Sequence, residues 1–215
     1  MYSLPPPPLT HGMDVVKIAT ININGITAQT RVGMLINFIR RHDFDILFVQ
    51  EVTSLEVLNI KGYVTHLNIR TSMRGTAILA RTELHLTNIT TLPSGCAIAA
   101  EYSGIRLINV YAPSGIARRT ERERFFNSEL PDLFHTVSQH TLIGGDFNCI
   151  LHPADTTGPF QTSQALTEIV RGLALTDTWN QDPLRPTYTH HSPTGATRID
   201  RLCLFKELMT CKTRI

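Results

Sequence analysis

The feature that most constrains this 215-residue sequence is a series of strand-sized apolar runs, each stopping abruptly in a burst of polar residues. Residues 15–23 (VVKIATINI), 45–52 (DILFVQEV) and 75–81 (GTAILAR) are largely apolar and rich in β-branched side chains, which predicts buried strands. Between the first two, Val32, Leu35, Ile36 and Ile39 fall at i, i+3, i+4 and i+7, so a helix with one apolar stripe is expected over 28–41. Residues 96–102 and 105–111 flank Ser103-Gly104, a two-residue turn that predicts a hairpin. Thr120 and Glu123 have capping-box spacing, which predicts a helix start near Thr120. Phe126, Leu130, Leu133, Phe134 and Val137 would line its inner face, and Pro131 predicts a kink or restart. Residues 141–145 read as another buried strand, and 163–175 as a helix with Ser163 as N-cap. Residues 186–190 and 198–205 read as strands joined by Ser192-Pro193-Thr194-Gly195. No internal repeat is visible. Because hairpins interrupt the βα units, the expected fold is α/β, with two mixed sheets packed as a sandwich and helices on the outer faces.

A hydrophobic content of 42% over this length supports one sizeable core, so residues 14–215 read as a single domain. Residues 1–13, with four consecutive prolines at 5–8, read as a disordered or polyproline leader that lacks the basic start and apolar run of a signal peptide. Met13 is a second candidate start. No apolar run approaches the roughly 18 residues of a membrane-spanning helix, so no membrane partner is expected. Cys96, Cys149, Cys203 and Cys211 form no Cys-x-x-Cys pair, which argues against a disulfide framework or structural zinc and for a reducing compartment rather than secretion. The formal net charge of +2 decides nothing about nucleic acid, because a binding face needs only local basicity.

The polar bursts carry the chemistry. Asn22 and Asn24 end the first strand (TININGI), Gln50 and Glu51 the second (FVQEV), and Tyr111 the hairpin (NVYAP). Asp146 and Asn148 follow the strand in LIGGDFN, and Asp200 sits in RIDRL between Arg198 and Arg201. Taken singly, each has an ordinary explanation: an Asn after a strand is turn chemistry, a Glu there is the first exposed residue, and Asp200 beside two arginines is a surface ion pair. Gathered at the edge of one core, they are the set a phosphodiester hydrolase requires. A hard cation, Mg²⁺ (or Mn²⁺), needs only one or two carboxylates because it keeps several waters, and Glu51 is the candidate. A second carboxylate, Asp146, would orient or deprotonate the attacking water. Asn22, Asn148 and Tyr111 are neutral donors for phosphate oxygens, and the metal serves as a Lewis acid.

The order NxN, QE, NVYAP, GGDFN, RIDR resembles the endonuclease/exonuclease/phosphatase superfamily, which includes apurinic/apyrimidinic endonucleases. TININGI, QEV, NVYAPSG, LIGGDFN and TYTHHSPTGATRIDRL are more similar still to the N-terminal endonuclease domain of LINE-type (non-LTR) retrotransposons. The likeness runs over residues 16–208. It implies a target-DNA nickase continuous with a reverse transcriptase in the parent element, acting in the nucleus, or otherwise the cytoplasm. It also implies that Asn22 and Asn24 support metal and phosphate, Glu51 is the principal metal ligand, Tyr111 contacts the scissile phosphate, and Asp146 and Asn148 position water and phosphate. Asp200 would orient a catalytic histidine, and His190 would lie in a DNA-contacting loop. Arg118 and Arg119, with Arg122 and Arg124 near them, are candidate phosphate contacts, although a solvated helix start explains them equally well.

Family members carry a Ser-Asp-His segment on a last core strand downstream of this RID motif. None of the nine histidines follows Asp200, and residues 201–215 contain no Asp. The expectation is therefore a chain incomplete at its C-terminus, with the final core strand missing, a sheet edge exposed, and Arg198 or Arg201 as the only company for Asp200. Two further readings stand beside an active nickase. One is a catalytically dead remnant that at most binds DNA; the other is a phosphatase or phosphodiesterase of the same superfamily acting on a phospholipid or inositol phosphate.

Overall fold

The computed structural model describes residues 15–27, 29–54, 56–70, 74–134, 140–158, 162–179 and 187–205. The expected leader, the tail beyond 205, Val137 and Pro186 lie outside these residues. Strands β1 (Ile18–Asn22), β2 (Ile46–Val52), β3 (Tyr63–Asn68) and β4 (Gly75–Arg81) form one mixed sheet in the order β1-β2-β4-β3. Six more form the second: β5 (Thr87–Thr91), β6 (Ala97–Tyr102), β7 (Ile105–Tyr111), β8 (His140–Asp146), β9 (Leu175–Asp177) and β12 (Asp200–Phe205), in the order β5-β6-β7-β8-β12-β9. A small hairpin, β10 (His190–Ser192) with β11 (Gly195–Thr197), belongs to neither sheet and is bonded through Thr197 and Ala196 to Thr156 and Thr157. The α/β sandwich expected from the sequence is the fold observed.

Side-chain alternation explains the layers. Along β2, Ile46 and Phe48 point into the gap between the sheets, where they meet Ile98, Ala100, Leu107, Leu142 and Leu204 of the second sheet. Leu47 and Val49 point the other way, onto Leu35 and Ile39 of α1 (Gln29–His42). The outer face of the second sheet is covered by Phe125, Phe126, Leu130, Leu133 and Leu166. Both faces of the central strands are therefore dry, which is why their sequences read as continuous apolar runs rather than as an alternation.

Most of the expected elements match within a residue or two, whereas β3, β5 and β9 were not expected, and the helix read over 163–175 ends at Gly172. The Ser103-Gly104 turn has φ of 49° and 77°, the two positive values that a tight hairpin of matching twist requires. The Thr120–Glu123 capping box does not form. Helix α2 (Arg119–Arg124) has Arg118 at its N-cap with no side-chain cap bond. Glu123 Oε2 instead accepts from the Ala165 backbone N–H at 3.2 Å. It thereby helps cap α3 (Gln164–Gly172), whose Ser163 Oγ accepts from Leu166 N at 3.1 Å as expected. The restart expected at Pro131 is present: after α2 comes a wide π-type turn over Phe125–Glu129, then a 3-10 segment over Leu130–Phe134. The last hairpin also differs from expectation. The Pro193-Thr194 turn joins β10 to β11, and β12 is a separate strand beginning at Asp200.

Two buried polar arrangements lock the sandwich. Asn109 on β7 is fully buried, and its Nδ2 donates to the Val49 and Ala77 carbonyls at 2.9 and 2.8 Å, crossing from one sheet to the other. Gln50 Nε2 in turn donates to Asn109 Oδ1 at 2.7 Å and to Thr20 Oγ1 at 2.9 Å. The second is a square of charges. Arg198 reaches Asp155 Oδ1 and Asp177 Oδ2, each at 2.8 Å, and Arg201 reaches Asp155 Oδ2 at 3.3 Å and Asp177 Oδ2 at 3.2 Å. The two arginines expected beside Asp200 are thus turned away from it. Successive side chains on a strand point to opposite faces, so Arg201 lies across the sheet from its neighbour.

Candidate active site

Register builds the site. In the second sheet Asp146 is the Cα partner of Tyr111 on one side and of Asp200 on the other, so these three residues form one row across β7, β8 and β12. In the first sheet Asn22 pairs with Gln50, and Gln50 with Thr76. A bulge between Gln50 and Val52 throws Glu51 out of the ladder. The two rows meet through one amide: Asn22 Nδ2 donates to Glu51 Oε1 at 3.0 Å and to Asp146 Oδ2 at 2.9 Å. Asn22 is thereby joined to a residue 124 positions away.

Three residues of the site have strained backbone. Asn24, Glu51 and Asn148 have φ of 48°, 60° and 48°, a left-handed conformation that costs a side-chain-bearing residue of order 1–3 kcal/mol. Local bonds hold two of these turns: Asn24 N donates to Asn22 Oδ1 at 2.8 Å, and Asn148 N to Asp146 Oδ1 at 2.9 Å. Asn148 Nδ2 donates to the Ala112 carbonyl at 2.9 Å, which ties the turn to the NVYAP segment. Gly145 makes this closeness possible, since at φ 131° a Cβ there would stand 2.0 Å from the Val110 carbonyl oxygen.

Electrostatics distinguish the carboxylates. Burial, and then the facing Asp200, push Asp146 up to about 7. Burial also raises Asp200, against the lowering effect of the Thr189 hydroxyl. Asp200 Oδ1 is buried and has no hydrogen-bond partner among the described residues. Burial, and then Asp146, raise the Tyr111 phenol. Glu51 is mostly buried, with 13% of its side chain exposed, and its Oε2 faces the guanidinium of Arg74, which also donates to Asn24 Oδ1 at 3.1 Å.

This donor set suits a hard divalent cation. Glu51 and Asn24 already hold one positive group between them, and their oxygens are the ligand type that Mg²⁺ or Mn²⁺ takes. Among the described residues no group of three His, Cys, Asp or Glu side chains is placed to hold a metal ion.

A model of the Endonuclease/Exonuclease/phosphatase family matches residues 19–212. The chain belongs to that family. Its members are nucleases and phosphatases, and Asn22, Glu51, Tyr111, Asp146 and Asp200 all fall within the match. An AP endonuclease from Archaeoglobus fulgidus shares the fold with a TM-score of 0.72 at 20% identity, covering 91% of this chain and 88% of that one. A 3' phosphatase from Neisseria, bound to product DNA hairpin, gives 0.73 at 20% identity over 93% and 90%. A mannosyl-6-phosphatase from Bacteroides thetaiotaomicron gives 0.61 at 18% identity over 89% and 86%. The family fold thus serves different phosphoesters, and the fold alone does not choose among them. In sequence, the chain is 28% identical over 217 residues to the Transposon TX1 uncharacterized 149 kDa protein of Xenopus laevis. That alignment takes in 91% of this chain but spans only 16% of the relative's length.

All six residues expected to be catalytic lie in or beside the two rows. Asn22 differs from its expected use, because its amide nitrogen already donates to both carboxylates. Of the candidate DNA contacts, Arg118 pairs with Glu121 at 2.6 and 2.5 Å, and Arg119 and His190 are exposed. Arg122 is buried, with Nη1 donating to the Pro113 and Gly115 carbonyls at 2.9 and 3.2 Å, so it braces the loop after Tyr111. The sequence reading missed Arg74. Its only signal is a charge placed immediately before the buried strand that begins at Gly75.

Proposed function

We propose that this domain is a divalent-metal-dependent DNA endonuclease that nicks target DNA for retrotransposition, and that in its parent element it is continuous with a reverse transcriptase acting in the nucleus. The observation that carries the reading is the Asn22 amide joining Glu51 to Asp146, which sets a metal-binding carboxylate beside a base. Held by Glu51 and Asn24, a cation would supply Lewis-acid stabilisation of charge on the phosphate oxygens. Asp146 takes the proton of the attacking water, and a carboxyl raised to about 7 is well matched to that task near neutral pH. The Asn148 N–H and Asn22 amide fix the orientation of Asp146, and the Tyr111 phenol donates to a phosphate oxygen. DNA is favoured over other phosphoesters by the similarity to a transposon protein. The exposed strand β10 and Arg119 are the surfaces offered to its backbone.

A second reading, a DNA-binding remnant without turnover, is favoured by Asp200 Oδ1, which has no hydrogen-bond partner among the described residues. A supercoiled-plasmid assay decides between them. Nicking that needs Mg²⁺ and stops in EDTA supports the nuclease. Salt-sensitive DNA retention without nicking supports the remnant. Preferential turnover of an inositol phosphate or phospholipid contradicts both.

A further inference from the structure

Arg74 occupies the position that the proposed function gives to a metal. Its guanidinium meets Glu51 Oε2 and donates to Asn24 Oδ1 at 3.1 Å. The contact is shaped from both sides. Gly25, at φ 60°, presents bare backbone, and a Cβ there would stand 3.0 Å from Arg74 Cζ and Nε, so the glycine of TININGI gives the guanidinium its seat. On the other side Gly75 fixes where Arg74 leaves the chain, because a Cβ at 75 would stand 2.0 Å from the Asn68 carbonyl oxygen. Yet 46% of the Arg74 side chain is exposed, against 13% for Glu51, so the arginine can swing outward while the glutamate cannot.

A guanidinium and a divalent cation compete for the same Glu51 and Asn24 oxygens. Each satisfies the Glu51 charge, and each repels the other at contact distance in a partly dry site. We propose that Arg74 is a built-in counter-cation that competes with the divalent metal for Glu51 and Asn24, offsetting the Glu51 charge until metal displaces it. This inference rests on the metal-dependent reading above. Its consequence is that apparent metal affinity is lowered by the fraction of time the arginine is in place.

Mn²⁺ binding to the full 215-residue chain, followed by electron paramagnetic resonance of the free ion, tests this directly. If the arginine holds the site nine-tenths of the time, Arg74→Ala tightens the apparent Kd roughly tenfold. Arg74→Lys falls between, since an ammonium makes a point contact where the guanidinium makes a fork. Glu51→Gln should weaken binding in both backgrounds and abolish the difference between Arg74 and Ala. Far-UV circular dichroism verifies that the half-exposed position tolerates the changes. Wild-type binding that depends on Glu51, with Arg74→Ala equal or weaker, overturns the counter-cation and leaves the metal reading standing. Failure of both wild type and Arg74→Ala to bind Mn²⁺ overturns both.

Discussion

Glu51 and Asp146 owe their properties to different causes. Glu51 is held at φ 60° by a bulge that places it out of the ladder, and its charge is met by Arg74. Asp146 is buried beside another carboxylate and is pushed up to about 7. The unfolded chain titrates Asp near the usual value of about 3.9, so the folded state holds this proton longer. The resulting stability is therefore complete below about 3.9 and is lost as pH rises through about 7. In EDTA the melting temperature should fall across that window. Asp200→Asn removes the second cause of the shift, so its decline should end at lower pH; superimposable profiles would contradict the coupling. At this scale the sequence was generous. Asn22, Glu51, Tyr111 and Asp146 were visible because each stands at the end of an apolar run, and Asp200 because it stands in the RIDRL segment. Arg74 was not, since a charge before a strand is ordinary until the fold brings it to a residue 23 positions earlier, as the contact with Glu51 does.

Among the elements, the strands buried on both faces were legible because apolar residues dominate them, even though β7 also carries the buried Arg106 and Asn109. The edge strands were not. All five residues of β5 (TNITT) are exposed, and β9 has only three residues. Such strands are defined by the neighbour they pair with rather than by a pattern of their own. The Thr120–Glu123 spacing misled for a related reason, because a capping box is a local bond and Glu123 found a tertiary partner in Ala165 N. Urea denaturation distinguishes the two helix starts. Ser163→Ala should cost about 1 kcal/mol, whereas Thr120→Ala should stay within about 0.5 kcal/mol. Equal losses at both positions would mean that the Thr120 cap forms after all. Asn109→Ala should be costlier, about 1–3 kcal/mol for each carbonyl left dry, since Val49 and Ala77 would lose their donor inside the sandwich.

For the whole molecule, the sandwich brings together two rows that no single segment contains. The square of Arg198, Arg201, Asp155 and Asp177 anchors the start of β12 and so fixes Asp200 opposite Asp146. Asp155 is nearly fully buried, and it also accepts from the Leu151 and His152 N–H groups at 3.2 and 3.0 Å. Asp155→Ala should therefore destabilise by about 3–5 kcal/mol, because it leaves two buried arginines short of a partner. A loss below about 1 kcal/mol in urea would show that Asp177 suffices alone. None of this square was expected from the sequence, since RIDR suggested arginines serving Asp200. The strand alternation that turns Arg201 away becomes decisive only when the opposite face is filled by Asp155 and Asp177.

The central claim is that Glu51 on one sheet and Asp146 on the other act as one unit through Asn22. Plasmid-nicking rates under Mg²⁺ for Glu51→Gln, Asp146→Asn and the double variant test it most directly. Residues that function together are strongly non-additive, so each single change should cost on the order of 100- to 10,000-fold and the double no more than the worse single. Losses that multiply, or a single variant that nicks at the wild-type rate, would contradict a shared site.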